Sequence, residues 1–181
     1  MRSFVALELK DEEVRSRLIG LQGKLMETQA DLKPVEPQNM HITLKFLGEV
    51  PEEAVAGIVE ALKAIELPKF ELRFKGIGAF PSLNRINVVW VGVADGSEKV
   101  MELQSEVERR LASYGPPERF HAHMTLFRVK GGRNVGELSR AIKGMADVEV
   151  GRVIFSEFQF KKSTLTPSGP VYEDIATFPL R

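Results

Sequence analysis

Apolar residues along the chain recur at two spacings. From Phe4 to Leu9 they crowd into a short β-rich run, whereas Val14, Leu18, Leu21 and Leu25 recur every three or four residues, so a strand and then a helix are predicted. After the breakers Pro34 and Pro37, His41 to Leu47 (HITLKFL) reads as a strand closed by Gly48 and Pro51. Pro51, Glu52 and Glu53 open a second helix whose Val55, Ile58, Val59, Leu62 and Ile65 form one apolar stripe, ended by Pro68. Phe70 to Ile77 alternates as a half-buried strand should, Pro81 to Arg85 is a turn, and Ile86 to Val93 is a fully apolar strand. The order then begins again. Val100, Leu103, Val107 and Leu111 mark a helix over 97–113, and Phe120 to Val129 a strand. Asn134 with Glu137 resembles a capping box for a helix carrying Val135, Leu138, Ile142 and Met145. Closing strands are expected over 148–161 and 171–178, with a turn at Pro167 to Pro170. This is an α+β pattern, one domain over 1–181 made of two lobes with a cleft between them, each lobe carrying one copy of a motif described below.

Composition narrows the functions open to such a chain. Its 181 residues balance 25 Lys and Arg against 25 Asp and Glu, so no bulk charge grips long nucleic acid, and an anionic ligand must be held locally. The absence of cysteine excludes disulfides, thiolate nucleophiles and sulfur-built metal sites, and fits a reducing cytoplasm. No leader-like segment is visible at the N-terminus, and no apolar run approaches the length needed to cross a bilayer, so a soluble protein is expected.

Two of the three histidines open the same four-residue pattern, His41-Ile42-Thr43-Leu44 and His123-Met124-Thr125-Leu126. Random ordering of this composition yields roughly 0.01 copies of H-x-T-L, so two copies are a specific signal. They lie 82 residues apart, close to half the chain, as duplicated lobes would place them. Side chains at i and i+2 of a strand share a face. Each motif therefore offers an imidazole and a hydroxyl to the cleft, while Ile42, Leu44, Met124 and Leu126 point into the core. Two imidazoles with ordinary pKa near 6.5 can divide the work of general base and general acid when their surroundings differ. That is equipment for breaking a P–O bond, with the threonines donating to the non-bridging oxygens. Neither a metal nor a cofactor is called for.

A single strand histidine is more often a half-buried structural residue than a catalyst, and strand threonines are ordinary. It is the duplication that lifts both above that reading. The rival is a metal site made by His121, His123 and His41, which leaves the paired threonines without a purpose.

The two motifs resemble those of the two-histidine phosphoesterase superfamily, and the chain is similar to its RNA 2′,3′-cyclic phosphodiesterase branch, long called 2′-5′ RNA ligases. The likeness runs through FVALEL, NMHITLKFLGEV, GIGAFPSLNRINVVWVGV, FHAHMTLFR and STLTPSGPVYEDIATFPL. It implies a bilobal pseudo-twofold fold, two antiparallel-rich sheets flanking a central cleft with helices outside, and opening of a terminal 2′,3′-cyclic phosphate to a 2′-phosphate. It also implies His41 as proton donor to the leaving oxygen, His123 as proton acceptor from water, and Thr43, Thr125 and Arg128 as phosphate-binding residues. Strict alternation sets Arg128 on the face opposite His123, so a bulge or twist is needed to bring it round. His121 has the parity of the cleft, as second support or a phosphate contact. Phe127, with the parity of His123, is the preferred base stacker, and Phe46, Phe80 and Tyr172 are further candidates. Lys45, Arg85, Lys130, Arg133, Lys161 and Lys162 are candidates to line a path for RNA, and Ser163-Thr164 to approach the cleft. The implied partners are RNA 3′ termini or small cyclic nucleotides, with no membrane and no obligate protein partner, for a monomer. Reverse 2′-5′ ligation at the same site and a noncatalytic RNA-binding module stand as alternatives.

Overall fold

The apolar runs become nine strands and four α-helices in the computed structural model, which describes all residues 1–181. In chain order they are β1 (Arg2–Glu8), α1 (Glu12–Met26), β2 (Leu32–Pro34), β3 (His41–Glu49), α2 (Val55–Lys63), β4 (Phe70–Pro81), β5 (Ile86–Val93), α3 (Ser97–Arg110), β6 (His123–Val129), α4 (Val135–Gly144), β7 (Glu149–Phe155), β8 (Glu157–Thr166) and β9 (Gly169–Pro179). Local chemistry explains the longest helix. Asp11 accepts from the Val14 N–H at 2.9 Å, Glu12 and Glu13 follow in the first turn, Lys24 sits in the last, and Val14, Leu18, Leu21 and Leu25 are buried.

The strands form two antiparallel sheets, one in the order β3-β1-β8-β9 and one in the order β2-β6-β5-β4-β7. The fold is α+β, as the sequence pattern predicts. The two halves of the chain exchange strands: β4 leaves the first half to pair with β5 and β7, and β8 returns to pair with β1. A single cluster of 39 buried apolar residues runs under both sheets, so neither sheet is packed without the other. Strand β3 carries the first motif into the four-stranded sheet and β6 carries the second into the five-stranded one.

Three expectations are corrected. The apolar run over 148–161 is two strands in two different sheets, divided at Ser156. The second helix begins with a 3-10 turn at Glu52–Ala54 before α2. Asn134 forms no capping box: its backbone is left-handed, φ 54°, and its side-chain amide instead donates to the Thr28 carbonyl at 3.1 Å, tying the start of α4 to the end of α1. The short strand β2 has no counterpart in the sequence pattern, because a leucine, a lysine and a proline in succession give no alternation to read. No helix is long and apolar enough to cross a membrane.

Candidate active site

Between the motif strands β3 and β6 lies a groove of about 770 Å³, lined by His41, Thr43, His121, His123, Thr125 and Arg128 together with Phe46, Phe80 and Tyr172. Its size is that of a small-molecule site. The alternation within each motif places the groups as predicted. Ile42, Leu44, Met124 and Leu126 are buried in the core, and the histidines and threonines between them face the groove.

Both histidines are held in the same way. Nδ1 of His41 lies 2.6 Å from the Asn39 carbonyl, and Nδ1 of His123 lies 2.6 Å from the His121 carbonyl. A carbonyl oxygen only accepts, so each Nδ1 carries a proton and each Nε2 is left as the reactive nitrogen. Nε2 of His41 is 2.9 Å from Thr43 Oγ1, whose hydroxyl donates to it when the ring is neutral. Aromatic rings brace both imidazoles: Phe4 and Tyr172 at 5.1 and 5.5 Å from His41, Phe80 and Trp90 at 5.0 and 6.3 Å from His123. Burial among these rings disfavours the imidazolium. It lowers the His41 pKa to about 4, with the positive charges of Lys161 and Arg128 adding to the effect and the Asn39 carbonyl opposing it. The His123 pKa is lowered too, again chiefly by desolvation.

The place of Arg128 is explained by a bulge. The register of β6 on β5 runs from Thr125 opposite Trp90 directly to Phe127 opposite Val89, so Leu126 is an extra residue. Beyond it the alternation is inverted, which turns Arg128 into the groove. The same inversion sends Phe127 into the core, fully buried, and corrects its reading as the preferred base stacker. The bulge is anchored because the Leu126 carbonyl accepts from the Val35 N–H at 2.9 Å and from the buried Gln22 amide at 3.0 Å. Arg128 belongs to the five-stranded sheet and lines the same groove as His41 and Tyr172 of the other sheet, where its positive charge lowers the His41 pKa further.

Strand β3 has the matching irregularity. Thr43 pairs with Ala6 and Lys45 with Val5, leaving Leu44 extra. Lys45 is thereby turned inward, where its Nζ meets Glu108 of α3 at 2.7 Å, and Phe46 emerges on the groove side, 48% exposed. Lys45 and Glu108 both line the groove, but the lysine's charge is committed to this ion pair rather than free for RNA. Lys161 is corrected likewise: it is buried and paired with Asp174 at 2.6 Å and Glu8 at 3.2 Å. Lys130 and Ser163 do line the groove, whereas Arg85, Arg133, Lys162 and Thr164 do not. Arg133 instead donates to the Gln29 carbonyl at 2.9 Å. His41, His121 and His123 do not gather into a metal-holding cluster. Sequence reasoning misses Phe4, whose ring packs on both His41 and Tyr172; its position opposite Phe46 in β1 follows only from the β1–β3 register.

The duplication seen in the motifs is seen again in comparison with known proteins. The family model described as LigT like Phosphoesterase matches the chain twice, over residues 7–90 and 91–172, each match containing one H-x-T-L motif. Among relatives, the RNA 2′,3′-cyclic phosphodiesterase of Aeropyrum pernix is 44% identical over 162 residues, 88% of this chain and 92% of that protein. The protein of the same description from Methanothermobacter thermautotrophicus is 39% identical over 99% of both chains. Among solved structures, TT0787 of Thermus thermophilus is 30% identical and superposes with a TM-score of 0.78, covering 100% of this chain and 98% of that one. LigT of E. coli complexed with 3′-AMP, 24% identical, shares the fold with a TM-score of 0.80 over 99% of this chain and 97% of its own. With both halves matched and both motif strands facing one groove, the chain belongs to the LigT-like phosphoesterase family.

Proposed function

We propose that this protein hydrolyses RNA 2′,3′-cyclic phosphate termini to 2′-phosphates, the two sheets serving as the halves of one bilobal domain that works as a monomer in the cytoplasm. The observation that carries the reading is that two imidazoles, each with Nδ1 committed to a backbone carbonyl, present Nε2 to one groove beside a threonine hydroxyl. Relatives described as RNA 2′,3′-cyclic phosphodiesterases, alike over nearly the whole chain, supply the substrate. In the scheme, His123 Nε2 takes a proton from water as the water oxygen bonds to phosphorus. The P–O3′ bond then breaks, and His41 Nε2–H gives its proton to O3′. Thr43, Thr125 and Arg128 donate to the non-bridging oxygens, where charge grows as phosphorus becomes five-coordinate. No step calls on a metal ion. Incubating an oligonucleotide that ends in a 2′,3′-cyclic phosphate tests this directly: a 2′-phosphate end is expected, at a rate indifferent to chelator. An intact cyclic end refutes the reading, and a joined product would favour ligation.

The lowered pKa values give this scheme a characteristic pH dependence. His41 must be protonated and His123 neutral, and the free-site values are about 4 and below the ordinary 6.5. Raising the pH above 6.5 therefore depletes the acid without gaining base, so kcat/KM is expected to peak on the acid side of 6.5 and then fall about tenfold per pH unit. A bound phosphate anion offsets Arg128 and favours both imidazolium forms. The kcat profile should accordingly lie at higher pH than the kcat/KM profile. A kcat/KM that climbs steadily from pH 6 to 8 would contradict it.

A further inference from the structure

Behind His41 the chain is tied to a strand that the sheet order sets far from it. β3 and β9 are the two outer strands of the four-stranded sheet, with β1 and β8 between them. In a flat sheet they would stand three strand spacings apart, about 14 Å. Here side chains close that gap beside the groove. The Tyr172 ring of β9 meets His41 edge-on at 5.5 Å, Phe4 of β1 packs on both, and the Asn39 side-chain amide donates to the Pro170 carbonyl of β9 at 3.3 Å. Asn39, Pro170 and Tyr172 all line the groove.

Asn39 is engaged through its backbone and its side chain at once. Its carbonyl accepts from Nδ1 of His41 at 2.6 Å while its amide holds β9. The residue ends the 3-10 turn Pro37–Asn39, in which the Met40 N–H donates to the Pro37 carbonyl at 3.3 Å. That bond is the local hold on the peptide carrying the Asn39 carbonyl, and the bond to Pro170 is a second hold from across the sheet. The other imidazole is held differently: the carbonyl behind His123 belongs to His121, whose ring packs against Phe80 and Trp90 at 5.3 Å from each. An acid is the more demanding partner to aim. Its Nε2 must lie within about 2.6–3.2 Å of one particular oxygen as the P–O bond breaks, and its Nδ1 must keep an acceptor while the ring is cationic. Among these aromatic rings, an imidazolium without that acceptor carries an unpaired donor.

We infer that Asn39 is a positioning residue of the acid: its side-chain amide, by binding the Pro170 carbonyl, keeps its own backbone carbonyl against Nδ1 of His41 and so aims Nε2 at the leaving oxygen. The inference rests on the cyclic-phosphate reading above, which supplies that oxygen. Asn39 thus acts through His41 and not on the phosphate, and this sets the pattern of its loss.

The wild type, Asn39→Ala and Asn39→Gln are compared, with thermal melting confirming that each folds. On adenosine 2′,3′-cyclic phosphate, Asn39→Ala is expected to lose about 10- to 100-fold in kcat with KM within about twofold, the scale for a small misplacement of one reacting group. On a linear nitrophenyl phosphodiester, whose leaving group needs no proton, it should keep most of its rate. Asn39→Gln, with the amide on a longer arm, should recover part of the loss. Two readouts report on His41 itself. Nitrogen NMR of the imidazoles at neutral pH should show the Nδ1–H tautomer alone in the wild type and a mixture at His41 in Asn39→Ala, with His123 unchanged. The Asn39 carbonyl raises the His41 pKa, as Glu8 of β1 does, against burial and the charges of Lys161 on β8 and Arg128 on β6. None of those charged groups changes in the variant, so the His41 pKa should fall and the alkaline limb of the kcat profile should move to lower pH. Equal losses on both substrates, a raised KM with kcat unchanged, or an unaltered His41 tautomer overturns the inference while leaving the activity standing. Failure of the wild type to open any cyclic phosphate overturns the proposed function, and with it the share of Asn39 in the reaction.

Discussion

His41→Ala and His123→Ala are each expected to lower kcat on a cyclic-phosphate substrate at pH 6 by about 10² to 10⁴, the range for loss of one positioned acid or base. The double variant should be little worse than the less active single one, because in the proposed scheme the two imidazoles act on one proton-transfer sequence and neither serves it alone. Thermal melting should confirm that the fold survives, since both rings are half-buried at the groove and outside the buried cluster. The two roles are separable with a linear nitrophenyl phosphodiester, whose leaving group departs as a stable anion and has no need of a proton. His41→Ala should then retain most of its rate while His123→Ala loses it. Rates within tenfold of wild type for either single variant on the cyclic substrate would end the acid–base scheme.

Much of this site is legible in the sequence, for a definite physical reason. The motif residues sit in strands whose period is 2, so His41 with Thr43 and His123 with Thr125 share a face whatever the sheets do beyond them. Helix stripes such as Val14, Leu18, Leu21 and Leu25 are equally plain, because burial of one face demands them. What escapes lies where non-local pairing decides. Nothing in HMTLFR marks Leu126 as an extra residue; the bulge exists because the β5 register and the Gln22 and Val35 hydrogen bonds hold it, and one such residue reverses the faces of Phe127 and Arg128. Likewise an apolar run over 148–161 does not record that Ser156 passes the chain from one sheet to the other. Lys161 has the look of a surface cation because the carboxylates that close over it, Glu8 and Asp174, come from two neighbouring strands rather than from its own.

Because the bulge alone brings Arg128 round, replacing this residue is the sharpest check on the phosphate-binding role proposed for it. Arg128→Ala is expected to cost about 10² to 10³ in kcat/KM, the scale for losing a preorganised donor to a developing oxyanion. Arg128→Lys should recover only part of that, since an ammonium restores charge but not the planar pair of N–H donors. A second readout distinguishes this from a general loss of binding charge. The Arg128 guanidinium helps to hold the His41 pKa down, so in Arg128→Ala that pKa should rise and the kcat/KM maximum should move to higher pH. Arg128→Lys, which keeps the charge, should leave the profile near that of the wild type. An Arg128→Ala rate within threefold of wild type and an unmoved profile would place this residue among the solvated surface cations, and leave Thr43 and Thr125 to bind the phosphate.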